Sequence, residues 1–259
     1  RDAQESRGLG DVYKRQVLRE LPPKTENVRR VELETEQRKL YLAAVVDARE
    51  KLRAAKPEDK MTVFAVLMRL REICCDPRLV ADNWTGSSAK LEACLELVTE
   101  AVAGGHRILL FSQFTSMLEL LAKRLDEAGV SHFTLQGSTP KPVRAEQVRR
   151  FNQGEADVFL ISLRAGGTGL NLTAADIVIH YDPWWNLAAQ NQATDRAYRI
   201  GQRNPVQVYR LIAQDTIEEK IVELQQAKQS LADTVTGGAD GAILSMNPEQ
   251  LLQLLGEEA

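Results

Sequence analysis

Residues 157–202 read DVFLISLRAGGTGLNLTAADIVIHYDPWWNLAAQNQATDRAYRIGQ. Val158 to Ile161 and Ile177 to Ile179 are short apolar runs rich in β-branched residues and bounded by turn formers, as strands buried on both faces of a parallel sheet are. Between them lies Ser162-Leu163-Arg164-Ala165-Gly166-Gly167-Thr168-Gly169. Glycines let a backbone approach a phosphate or a sugar closely, and free N–H groups there cradle an anion. The run lacks the Lys-Ser/Thr of a P-loop and does not match G-x-G-x-x-G, so by itself it specifies neither a nucleotide cradle nor a dinucleotide fingerprint. After the second strand, Asn186 is placed to cap a helix over about 187–200, with Gly201 as its stop. Gln192, Asp195, Arg196 and Arg199 then fall at i, i+3, i+4 and i+7 on one helix face. Two fixed guanidiniums suit the charge that spreads over a phosphoryl group in transfer. Taken alone, the same helix reads more simply as a solvated face with an Asp195–Arg199 pair contributing a few tenths of a kcal/mol.

Outward from this span, strand and helix alternate. Expected strands are Ile108 to Phe111, His132 to Gln136, Asp157 to Ser162, Asp176 to His180 and Val206 to Ile212. Expected helices are Met117 to Ala128, Pro142 to Phe151 and Thr216 to Leu231. That order predicts an α/β fold, a parallel sheet covered by helices. Upstream, Thr35 to Ala55 and Asp59 to Cys74 read as amphipathic helices, with Leu40, Val45 and Leu52 on one stripe and Val63, Leu67, Leu70 and Ile73 on the other. After a linker at 82–87, Ser88 is expected to cap a helix carrying Leu91, Leu95, Val98 and Val102, which Gly104-Gly105 ends. A Gly-rich tail from Thr234 leads to a short apolar stretch after Asn247-Pro248, free to dock elsewhere.

At 259 residues, 44% hydrophobic and 27% charged, the chain holds one full core and a smaller helical annex. No apolar run reaches membrane-spanning length and no signal peptide is visible, so no membrane partner is expected. Cys74, Cys75 and Cys94 are odd in number without C-x-x-C spacing, and His106, His132 and His180 are scattered, so no metal site is assigned. A net charge of -3 shows no broad basic face, so any nucleic-acid contact is local. Trp184 and Trp185 follow a strand directly; an aromatic at a loop tip wedges against a base or sugar, whereas a packed Trp only supports the loop.

The run FLISLRAGGTGLNLTAAD resembles motif V, and QATDRAYRIGQ motif VI, of the Swi/Snf-type ATPases, the DNA-translocating branch of the superfamily 2 helicases. RILLFSQFTSMLELL (Arg107 to Leu121) resembles motif IV and LQGSTPKPVRAEQVRRFN the segment after it. ELPPKTE (Glu20 to Glu26) resembles the entry to the second lobe, LREICCDPRLV the helix before it, and VQVYRLIAQDTIEEKIVELQQAKQSLAD the closing strand and brace helix. These spaced matches run in family order from Val17 to Asp233. Leu163 departs from a common Thr, and Leu187 and Gln190 from a common Pro and Glu.

The resemblance implies a RecA-like sheet sandwiched by helices and divides the chain into a helical lead-in (17–85), the second RecA-like lobe (86–232) and a tail (233–259). Residues 1–16 match nothing in the family; 11–16 resemble a translated transposon end, so they are expected to be a sequencing scar. No G-x-x-x-x-G-K-[ST] occurs, and Asp126-Glu127 closes a helical stripe instead of following a strand. The first lobe, which would bind ATP with Mg²⁺, is therefore expected to be missing, and the fragment alone to be inactive. The resemblance further implies that Arg199 and Arg196 are arginine fingers, that Gln192, Asp195, Gly167 and Gly169 line the ATP cleft, and that Gln113, Ser138, Ser162 and Trp185 contact double-stranded DNA. Expected partners are DNA and the N-terminal lobe, with nucleoprotein or RNA polymerase beyond them. Expected localisation is cytoplasmic and nucleoid-associated, or nuclear in a eukaryote. A different superfamily 2 helicase and a standalone non-catalytic binding module remain the competing readings.

Overall fold

A computed structural model describes residues 21–163, 165, 169–232 and 246–256. Residues 1–16 and Gly167, both given roles above, lie outside that set. The chain builds one six-stranded sheet in the order β1-β6-β5-β2-β4-β3, with every pairing parallel. Its strands are β1 (Lys24–Val31), β2 (Ile108–Ser112), β3 (His132–Leu135), β4 (Val158–Ser162), β5 (Ile177–His180) and β6 (Val206–Ala213). The three central strands β2, β4 and β5 are buried at every position, which is why their sequences read as continuous apolar runs.

Period-two alternation splits the core into two layers. Ile108 and Leu110 of β2, Val158 and Leu160 of β4, and Ile177 and Ile179 of β5 face α3 (Ala89–Ala103) and α4 (Thr115–Glu127). Leu109, Phe111, Phe159, Ile161 and Val178 face the opposite way, against Phe151 of α5 (Lys141–Asn152) and Ala193 of α6 (Leu187–Thr194). This is the helix-covered parallel sheet the sequence predicts, a RecA-like α/β sandwich.

The annex is α1 (Thr35–Ala54) and α2 (Lys60–Cys75), which bury Val45, Leu52, Val63, Leu67, Leu70 and Ile73 as expected, with Leu40 partly buried. Asp59 caps α2 by accepting from the Thr62 N–H at 3.0 Å. Ser88 precedes α3 but makes no side-chain cap; its Oγ donates instead to the Cys75 carbonyl at 3.0 Å and fastens α3 to the end of α2. Gly105 takes φ +79° after α3, a backbone conformation that suits glycine.

Two elements close the annex onto the sheet. β1 precedes α1 and pairs with β6 in register Lys24↔Val206 through Val31↔Ala213, so the sheet begins inside the lead-in. α7 (Ile217–Ala232) follows β6 and packs Ile217 and Ile221 into the annex core. The tail returns as α8 (Pro248–Leu254), started by an Asn247/Gln250 capping box, and buries Leu251 against the annex. Arg49 Nη2 donates to the Leu255 carbonyl at 2.5 Å. The apolar stretch after Pro248 thus docks on α1 and α2.

Candidate nucleotide and DNA site

Asn186 caps α6, its side chain accepting from the Ala189 N–H at 2.8 Å. The helix stops at Thr194, however, not near 200, and Asp195 to Gly201 form a series of turns. Tertiary hydrogen bonds take over where helical ones would continue. The Leu172 N–H donates to the Arg196 carbonyl at 3.0 Å, and the Gln202 amide donates to the Ala175 and Ala197 carbonyls at 2.7 and 3.1 Å while its oxygen accepts from the Arg203 and Asn204 N–H groups. His180 Nε2 lies 2.9 Å from Thr194 Oγ1 and pins the helix end to β5.

The shortened helix still delivers its side chains to one place. Gln192, Asp195, Arg196 and Arg199 line a single open pocket of about 440 Å³ with Leu21, Tyr198 and Ile200. Arg196 is only 7% exposed and its Nε has no partner, whereas Arg199 is exposed. Neither guanidinium forms an ion pair within 4 Å among the described residues. Burial, and then the neighbouring Arg199 charge, pull the Arg196 pKa down. Burial pushes the Asp195 carboxyl up against the opposing pull of Lys24 and Arg196. Two adjacent cations with spare donors at an open pocket are suited to a multiply charged anion. Gly169, at φ +36°, opens the loop whose Leu172 bonds the arginine turn.

The residues nominated for DNA lie elsewhere, at the carboxyl ends of the strands. Ser138, after β3, is exposed. Ser162 is not available: it is 3% exposed and its Oγ accepts from the Ala165 N–H. Its partner in register is Ser112, equally buried at the end of β2. Gln113 is half-buried, with a buried Nε2 that has no partner. Trp185 is half-buried as well and does not stand free at a loop tip; the Arg71 guanidinium lies 3.9 Å from its ring centroid. Trp184 packs against the α5/α6 layer.

Sequence reasoning missed the buried charges that hold this region. Arg71 of α2 and Asp182 after β5 are 0% and 1% exposed and pair at 3.2 Å. Burial drives the Arg71 pKa down and the Asp182 pKa up, against their mutual attraction. Lys90 and Glu218 form a second sealed pair, Nζ standing 2.6 Å from both carboxylate oxygens. Burial pulls the Lys90 pKa down, but the Glu218 charge and hydrogen bond, together with the neighbouring Cys75 and Cys74, leave it raised. One signal was present for Arg71: it sits within the apolar stripe of α2, where an arginine needs a partner.

The helicase conserved C-terminal domain family matches residues 89–201, and the SNF2-related domain family matches residues 8–79, beginning within the stretch expected to be non-native. An uncharacterised ATP-dependent helicase of Mycoplasma pneumoniae is 38% identical over 93% of this chain and 23% of its own length. The chain spans about a quarter of the length of the curated relatives it matches. Among solved structures, the SWI2/SNF2 ATPase C-terminal domain of Sulfolobus solfataricus is similar with a TM-score of 0.74 at 27% identity, over 91% of this chain and 100% of that one. The Sulfolobus solfataricus SWI2/SNF2 ATPase core in complex with dsDNA is similar with a TM-score of 0.76 at 29% identity, over 95% of this chain and 53% of that one. On these motifs, this fold and these likenesses, the chain belongs to the Swi/Snf-type ATPase family and represents its C-terminal helicase region.

Proposed function

We propose that this chain is the second RecA-like lobe of an ATP-driven motor that translocates along double-stranded DNA. The observation that carries the reading is the open pocket in which Arg196 and Arg199 stand together without anionic partners. The sequence has no Walker A motif, so the phosphates and Mg²⁺ are held by a first lobe that the parent protein supplies. Arg199, with Arg196, reaches across the cleft to the γ-phosphate as arginine fingers. Gln192, Asp195 and the backbone around Gly169 line the same cleft. Closure and opening of the lobes move duplex DNA past Ser138, Gln113 and the exposed part of Trp185. A solved neighbour in complex with dsDNA and relatives named ATP-dependent helicases support the substrate and the fuel.

The test is Arg199→Ala in the intact parent protein. Turnover is expected to fall roughly 10³-fold, the scale of a lost arginine finger, with DNA affinity nearly unchanged. Near-normal ATPase activity would refute the assignment. The chain by itself is expected to hydrolyse no ATP, and DNA-stimulated turnover by purified residues 17–259 would refute the half-site.

A further inference from the structure

Arg71 is the largest fully buried side chain among the described residues. Its guanidinium lies over two aromatic rings, 3.9 Å from the centroid of Trp185 and 5.5 Å from that of Phe114. Nη2 donates both to the Asp182 carboxylate and to the Pro183 carbonyl, while Nε and Nη1 have no partner. A well-packed apolar side chain would fill this space without desolvating a charge, so the arginine is costly as a mere core filler.

Its neighbours show what it joins. Asp182 Oδ1 accepts from Ser112 Oγ at 2.6 Å and from the Gln113 N–H at 3.2 Å, which ties the end of β2 to the loop after β5. From that loop the Trp184 N–H donates to Gln190 Oε1 at 3.2 Å, and Gln190 is a buried residue of α6 two positions before Gln192 of the arginine pocket. The Trp184 carbonyl is in turn held by Gln225 of α7. One guanidinium therefore touches Trp185 directly, reaches Gln113 through Asp182, and connects to the arginine turn through the Pro183-Trp184 loop and Gln190 of α6.

We propose that Arg71 is a positioning residue that couples DNA contact at the ends of β2 and β5 to the placement of Arg196 and Arg199, so that engaged DNA is read out as faster ATP turnover. The proposal rests on the motor reading above. Planarity is essential to it: lysine supplies the charge opposite Asp182 but neither stacks flat on an aromatic ring nor offers a rigid fork.

The experiment measures ATPase rates of the intact parent protein with and without linear duplex DNA. In Arg71→Lys the DNA-free rate is expected to stay within about twofold, while the DNA-stimulated rate falls roughly tenfold, the scale of a broken coupling, with KM for ATP unchanged. Equal proportional loss of both rates, or no loss, overturns the proposal. Arg71→Met/Asp182→Asn, which removes both buried charges together, is assayed in parallel in case the lysine variant does not fold. It too is expected to lose stimulation, and its retention overturns the proposal. If neither variant folds, Arg71 is a folding residue and the proposal is lost. Arg199→Ala separates the two readings: normal turnover there sinks the motor assignment, whereas its collapse beside intact stimulation in Arg71→Lys sinks only the coupling.

Discussion

Arg71 and Arg199 carry the same guanidinium on one lobe, yet one is sealed against Asp182 beneath two aromatic rings and the other stands at an open pocket without an ion pair. The sealed region, with Lys90–Glu218 beside it, uses its charges against each other and leaves none for a ligand. The open region does the reverse: Arg196 and Arg199 repel, and Asp195 offsets them only in part. Charge held in a closed pair specifies how parts join, while charge left uncompensated at a cleft waits for an anion.

The comparison breaks most readily at Glu218. Glu218→Ala leaves Lys90 buried and unpaired and removes the acceptor of the Ala213 N–H, so unfolding in urea is expected to show a loss of about 3–5 kcal/mol. Replacing both partners, Lys90→Met/Glu218→Leu, is expected to restore most of it. A single-variant loss below about 1 kcal/mol would mean that the pair is wet, and the contrast with the pocket would collapse. Arg199→Ala is expected to show the opposite pattern. A roughly 10³-fold drop in turnover corresponds to about 4 kcal/mol of barrier, while stability moves by no more than about 0.5 kcal/mol, as for an exposed residue with no partner. Loss of stability in step with activity would place Arg199 in the scaffold.

What was legible follows from the same physics. The strands β2, β4 and β5 were readable because burial on both faces forces a continuous apolar run. β1 was not, because KTENVRRV at the sheet edge is almost wholly exposed and shows no apolar period. The four residues of the arginine segment share one pocket, but the helix expected to carry them stops short: nothing near Arg196 announces that Leu172 and Gln202 will claim its turn. The buried pairs join residues 111 and 128 positions apart, a separation at which sequence carries no local signal. The burial of Ser162 was hidden for a related reason, since a short polar residue at a strand end looks the same whether it faces a groove or the core.

The smallest expected effect lies at the joint between the two regions. His180 holds the end of α6 through Thr194, stacks on Phe111 at 5.5 Å, and is 2% exposed with its Nδ1 unpartnered. Burial, and secondarily the Arg210 charge, push its pKa down to about 3 from an ordinary 6.5. Between those values the unfolded chain takes up a proton that the folded chain refuses. Stability from this group is therefore intact above pH 6.5 and is lost as pH falls toward 3, at a slope of up to about 1.4 kcal/mol per pH unit. His180→Leu cannot charge in either state. It gives up the Thr194 hydrogen bond at every pH, a constant offset, but should lack this slope, so that the wild-type chain loses about 2 kcal/mol more than the variant on going from pH 7 to pH 5. Asp182 and Glu218, whose carboxyl pKa values burial raises, titrate in the opposite sense, but they are common to both proteins and cancel in the difference. Parallel stability curves for the two proteins over that range would show that His180 already accepts a proton in the folded lobe. The joint would then be open to water, and the line drawn between a sealed region and an open one would have to move to include α6.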